Sequence, residues 1–297
     1  MPAVPFPLPS DERRHPPGRD RGWEESWDFD FVTTDGELAG FVRLALRPNE
    51  RQAWYWAYLA GPGRDLVVVR DHEVELPRDR TLEVRGPGLW AQVTCEVPLD
   101  HWSMGLEASG VALDDPTESW RGERGLPVPL GLDLEWEVTA AAAPLAGPDG
   151  YGQPSTVHGD VLLGSATLPV DGTGWRSHAW GPSPWSDGWW RATAHLDDGT
   201  AVCASSAGPA LVYAAGGTQP ASVDAGATVE LRADGLPASA TLAVGSLALS
   251  VIPVAHAPVP VDAAAGVRLV RALCAFSGDG RSGRGWCEWA TAAPPPG

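Results

Sequence analysis

The sequence predicts an all-β protein made of two antiparallel units, barrels or sandwiches, and three observations carry that expectation. Nearly every apolar segment is short and ends at Gly, Pro or Asp; apolar residues within the segments alternate with period two; and no stretch sustains a helical period for long. Two series of about seven or eight such segments flank Thr139-Ala-Ala-Ala-Ala-Pro-Leu-Ala-Gly-Pro-Asp-Gly150, which reads as a linker. The expected layout is a disordered Pro-, Arg- and Asp-rich arm over 1–22, one unit over 23–140 and a second over 150–297.

The first series runs Glu25–Val32, Leu38–Leu46, Ala53–Leu59, Asp65–Val74, Leu89–Val97, Trp102–Ala108 and Leu130–Val138. Its alternation puts Trp27, Phe29 and Phe31 on one face, and Trp54, Trp56 and Tyr58 on another. Asp133, Glu135 and Glu137 oppose Leu132, Leu134, Trp136 and Val138, as in a strand with one wet side. The second series runs Val157–Leu163, Trp175–Trp180, Trp189–Leu196, Ala201–Ser205, Ala227–Leu231, Ala240–Val251, Val267–Phe276 and Gly285–Ala290. Its last two members form a hairpin; a turn over Asp279–Ser282 would set Cys274 opposite Cys287 and Leu273 opposite Glu288.

Composition narrows the function classes. With 43% hydrophobic and 20% charged residues the chain is expected to be globular, and a net charge of −17 argues against nucleic acid or an anionic membrane as partner. There is no lysine, so Schiff-base catalysis through Lys is excluded. The N-terminus lacks a signal-peptide pattern and no apolar run approaches a membrane span, making a cytoplasmic location the expectation. Cys95, Cys203, Cys274 and Cys287 show no metal-binding spacing and are expected to be mostly buried thiols; no metal and no other cofactor is expected. P-loop and Gly-x-Ser-x-Gly signatures are missing, and no Gly-x-Gly-x-x-Gly opens a helix as a dinucleotide fingerprint must.

The richest candidate stretch is Asp171-Gly-Thr-Gly-Trp-Arg-Ser-His-Ala-Trp-Gly181, where Arg176, His178 and Trp180 share one strand face opposite Trp175, Ser177 and Ala179. A fixed cation, a titratable imidazole and a large ring side by side read as a pocket wall, with His178 as general acid and Arg176 holding a polar group; a structural histidine and an ion-paired arginine are the plain alternatives. Glu288 shares a face with Trp286 and Ala290 and joins the catalytic candidates if that face is interior. His72, Glu73, Glu96, His101, Ser103 and Glu107 are further polar residues on strands or at their ends, expected on wet faces. Fifteen tryptophans suit a barrel that holds a ligand, and Trp180, Trp175, Trp286, Trp54, Trp56 and Tyr58 are the expected aromatic lining.

Several segments resemble one family. Tyr151-Gly-Gln153, Val157-His-Gly159 and Gly172-Thr-Gly-Trp-Arg176-Ser-His178-Ala-Trp180-Gly181 are similar to the pattern of carotenoid hydratase (hydroxyneurosporene synthase) relatives, a group with a paired lipocalin-like fold that includes fungal Diels–Alderases and AttH-type proteins. Ser177 stands where that pattern usually has Asp. Asp279-Gly-Arg-Ser-Gly-Arg-Gly-Trp-Cys-Glu288 resembles the family's closing hairpin, and Glu25-Ser-Trp-Asp-Phe-Asp-Phe31 with Asp133-Leu-Glu-Trp-Glu137 resemble its first barrel's opening and closing strands. The resemblance implies two packed lipocalin-like β-barrels and an apolar ligand of terpenoid, polyketide or steroid-like kind. Cofactor-free hydration, isomerisation or cyclisation is then one expectation, and non-catalytic carriage or sensing of a lipophile the other.

Overall fold

A computed structural model of the chain describes residues 6–78, 80–146, 149–182, 185, 188–261 and 267–292. Its strands are β1 (Trp23–Thr33), β2 (Ala39–Arg47), β3 (Gln52–Ala60), β4 (Leu66–Glu75), β5 (Leu82–Gly86), β6 (Leu89–Val97), β7 (His101–Leu113), β8 (Leu126–Val138), β9 (Ala143–Pro144) and β10 (Asp149–Leu163). There follow β11 (Ala166–Pro182), β12 (Trp190–Leu196), β13 (Ala201–Ser205), β14 (Gly208–Tyr213), β15 (Ala221–Val223), β16 (Ala225–Leu231), β17 (Pro237–Val244), β18 (Leu247–Pro260), β19 (Val267–Gly278) and β20 (Arg281–Ala292). Among the described residues no helix is long and apolar enough to cross a membrane.

Strands β4-β3-β2-β1-β11-β10-β8-β7 hydrogen-bond in that order, and β4 returns to β7 through Leu66 opposite Leu113, so eight strands close a ring. Strands β6 and β5 continue the sheet past β7, and β9 lies on β10. The second sheet runs β15-β14-β13-β12-β20-β19-β18-β17-β16. Only Asp224 separates its two edge strands in sequence, so the sheet has to curl until its edges approach. The expected pair of lipocalin-like antiparallel barrels is what the chain forms.

Apolar alternation sets what lies where. Trp27, Phe29, Trp102 and Trp136 fill the first barrel, and Leu249, Cys274, Phe276 and Trp289 fill the second. Between the barrels, Phe41, Trp54, Trp56 and Tyr58 of the first pack on Leu273, Trp286 and Ala290 of the second. Glycines permit close strand approaches at the site: a Cβ on Gly174 would lie 2.0 Å from the Asp30 carbonyl oxygen of β1, and one on Gly285 would lie 1.9 Å from that of Thr193 on β12.

Several expectations need correction. The chain passes from one sheet to the other after β11, not at residues 139–150: β1 needs β11 as a partner and β8 needs β10, so the β10–β11 hairpin completes the first ring. The stretch 240–251 is two strands turning at Gly245, whose φ of 56° is costly for other residues. Strands β5, β14 and β15 were not foreseen. The arm is packed from residue 6 onward, with a short 3-10 helix over Pro9–Glu12 and a buried Glu12. The final hairpin turns on two residues, Asp279 and Gly280, both at positive φ, so Cys274 lies opposite Gly285 and Arg271 opposite Glu288. A slip of two preserves side-chain parity, so Glu288 still shares the face of Trp286.

Candidate functional site

Strand β1 carries its aromatic residues into the first barrel and Glu24, Ser26, Asp28 and Asp30 out of it, toward the second barrel. The second barrel covers those polar groups, and they are answered by cations from neighbouring strands. Arg43 donates to both Asp28 oxygens, at 2.7 Å to Oδ1, and to Glu24, while Arg47 donates to Glu24 at 3.0 Å and to Glu50 at 2.7 Å. Asp30 accepts from the Trp175 N–H at 2.9 Å and from Arg271 at 2.8 Å. Burial pushes the Asp30 carboxyl up to about 6, against the pull of Arg271 and Arg191.

On the facing sheet, cross-strand neighbours place Arg191 (β12), Glu288 (β20) and Arg271 (β19) in a row. Arg271 binds Glu288 at 3.1 Å as well as Asp30, bridging the two barrels. Arg191 reaches the Ser177 hydroxyl at 3.4 Å and hydrogen-bonds the Cys203 side chain, whose thiol burial pushes up. Among the described residues no carboxylate lies within 4.0 Å of the Arg191 guanidinium, and its Nε has no partner.

Of these groups, Glu24, Asp28, Arg43, Ser177, Arg191, Cys203 and Glu288 border a cavity of about 300 Å³ between the two sheets, a size that suits a small molecule. Trp180, Trp185, Trp189 and Trp190 with Leu145 and Leu211 give it apolar walls; Arg43, Arg191, Asp28 and Glu288 supply the charges, and Ser177 a hydroxyl. The arrangement offers an apolar, ring-accepting volume with a cation and carboxylates at its wall.

The predicted site residues divide. Glu288 and Trp180 border this cavity, but Arg176 and His178 do not. Both faces of β11 are covered, and the face of Arg176 and His178 is the one inside the first barrel, leaving Ser177 and Ala179 to line the cavity. Arg176, 1% exposed, is bound by Glu12 of the arm at 2.5 and 3.2 Å and by Gln153, with Trp102 and Tyr151 beneath it. His178, fully buried, bonds Glu25 at 3.0 Å, stacks on Trp27, and meets the Tyr151 hydroxyl at 3.4 Å. Burial holds His178 below the usual imidazole value despite Glu25. His15 stacks on Trp180 and bonds Glu25 at 2.8 Å, so His15, Glu25 and His178 form one cluster under the arm.

Trp54, Trp56, Tyr58 and Trp286 belong to the packing between the barrels, and Trp175 packs on Tyr213; none of the five lines the cavity. His72 accepts from Trp56 Nε1 at 2.7 Å and stacks on Trp54. Asp133, Glu135, Glu137 and Glu107 are exposed as expected. Sequence reasoning missed Arg191, Asp28 and Arg43. Arg191 follows two tryptophans in an apolar strand, and only the pairing of β12 with β20 reveals that it neighbours Glu288.

Residues 8–293 match a family model described as "Domain of unknown function (DUF7064)". No curated protein matches the sequence. Among solved structures, an AttH-like protein from Nitrosomonas europaea is similar with a TM-score of 0.66 at 18% identity, over 98% of both chains. Kievitone hydratase from Nectria haematococca gives 0.58 at 10% identity, over 91% of this chain and 89% of that one. CghA, solved with Sch210972, gives 0.53 at 9% identity, over 93% and 90%. The resemblance to the carotenoid hydratase and AttH group with paired barrels therefore holds at the level of fold.

Proposed function

Because this chain belongs to the DUF7064 family, whose description assigns no function, we propose a function from the site itself: an apolar, ring-bearing small molecule binds between the barrels and undergoes cofactor-free hydration, isomerisation or cyclisation. The observation that carries this reading is the tryptophan-walled cavity of about 300 Å³ with Glu288 at its wall. Kievitone hydratase, similar in fold, is named for a hydration, which agrees in reaction class.

In this reading Trp180, Trp185, Trp189 and Trp190 hold the apolar body and stabilise cationic character by their π faces. Glu288 passes a proton to or from the substrate carbon, while Arg271 keeps the carboxylate aimed and Asp30 keeps Arg271 in place. Hydration adds the two parts of one water across a double bond; isomerisation and cyclisation return the proton they borrow. None of the three changes needs an external oxidant or reductant.

A second reading, carriage of a lipophile without turnover, is favoured by one specific observation. Asp28 and Glu24 are bound by Arg43, and Glu288 by Arg271, so each carboxylate of the wall already has a cation. Mass spectrometry of lipophiles incubated with the protein separates the two. Turnover gives a product heavier by one water or an isomer with altered retention, and Glu288→Gln lowers the yield about 100-fold. Recovery of unchanged bound compound with both proteins refutes the enzyme reading and leaves the carrier.

A further inference from the structure

Arg191 has the least compensated charge in the cavity wall. Taking a guanidinium out of water costs several kcal/mol unless an anion answers it, and the other wall cation is answered: Arg43 holds Asp28 and Glu24. For Arg191 the nearest cross-strand acid is Glu288, but Glu288 is drawn to Arg271 on its other side, at 3.1 Å. At hydrogen-bond distance Arg191 keeps a hydroxyl at the long distance of 3.4 Å and a thiol that burial keeps protonated, while Glu288, Asp28 and Asp30 act on its guanidinium only from beyond 4.0 Å, each of them held directly by another arginine. Arginine stays charged at any physiological pH, so it cannot escape by losing its proton.

We propose that the ligand of this cavity carries an oxygen anion, a carboxylate, enolate or phenolate, that seats on the Arg191 guanidinium while its ring system lies among Trp185, Trp189 and Trp190. The inference rests on the reading that the cavity between the barrels is the ligand site, and it adds the ligand's charge and its anchor. Two features support an oxygen anion over a bare hydrocarbon. A planar guanidinium offers paired donors that match a carboxylate. Ser177, next to Arg191 and bordering the same cavity, adds a hydroxyl donor. Glu288 is the cross-strand neighbour of Arg191 on the same wall, and its own charge is answered by Arg271.

The test compares a naphthoate with the matching uncharged naphthamide by isothermal titration calorimetry on the full chain. The naphthoate is expected to bind at least tenfold more tightly. Arg191→Met should weaken naphthoate by about 10- to 100-fold, the range of a lost charge-assisted contact, and leave naphthamide within about twofold. Ser177→Asp supplies a carboxylate to Arg191 in place of the ligand's and should also suppress naphthoate alone, with the thermal midpoint reporting that both variants fold. Trp189→Ala should weaken both probes alike. Equal binding of the two probes, insensitive to Arg191→Met but weakened by Trp189→Ala, overturns the anion while leaving the cavity as the ligand site. Binding of neither probe overturns both readings.

Discussion

Replacing Asp30 by Asn should abolish a fall in stability that the native protein shows between about pH 4 and pH 6. Asp30 sits between the barrels, bound by the Trp175 N–H and Arg271, and burial raises its carboxyl from 3.8 to about 6. Across that window the folded protein keeps the proton that the unfolded chain has released, so the unfolded state binds fewer protons and stability declines as pH rises. The gap of roughly two pH units corresponds to about 3 kcal/mol, fully lost above about pH 6. Asparagine keeps the shape and one acceptor oxygen but has nothing to ionise. Urea denaturation of both proteins in steps from pH 4 to pH 7 gives the difference curve directly. A native-minus-variant difference that stays flat across the window, or rises with pH, would refute the assignment of a buried, proton-holding carboxyl at this place.

Two more predictions follow from the packing. Glu12→Ala should destabilise the protein by about 3–5 kcal/mol, because the buried Arg176 loses its carboxylate; an unchanged denaturant midpoint would show that the arm does not hold the barrel in solution. Gly174→Ala should cost about 3 kcal/mol or more, since the added Cβ meets the Asp30 carbonyl at 2.0 Å, whereas Gly226→Ala on β16 meets nothing within 4 Å and should leave thermal stability within about 0.5 kcal/mol.

Period-two alternation was enough to reveal the fold class and which residues share a face, because those depend on the chain alone. It told correctly that Arg176 and His178 go together, and that Glu288 goes with Trp286. What covers each face is set by sheet order, which alternation does not encode. Strand β11 is buried on both sides, so the polar face that looked like a pocket wall is instead the floor under Glu12 and Glu25, and its neighbours Ser177 and Ala179 meet the cavity. The arm was misread for the same reason: its Pro and Arg content suggests a solvated tail, while the partner that buries Glu12 lies 164 residues away. The hairpin register slipped because the two-residue turn is centred on Asp279-Gly280, the pairing an Asp-Gly turn favours, one residue earlier than the Gly280-Arg281 centre of a turn over Asp279–Ser282. Arg191 carried no motif; its isolation arises from a competition between two arginines for Glu288 that exists only once β12, β20 and β19 lie side by side.

The late position of the β10–β11 hairpin bears on how the chain is synthesised and where it tolerates a cut. When residues up to 145 have emerged from a ribosome, the first ring has six of its eight strands, with β1 and β8 each presenting an unpaired edge. Those edges are templates for another chain until β10 and β11 arrive. Cleaving within 139–150, where composition most invites it, would leave one fragment with an open barrel and an unanswered Glu12, and another with a hairpin belonging to a sheet it no longer has. The passage from the first sheet to the second falls between β11 and β12, so split-protein reassembly should tolerate a break between those two strands better than one within 139–150.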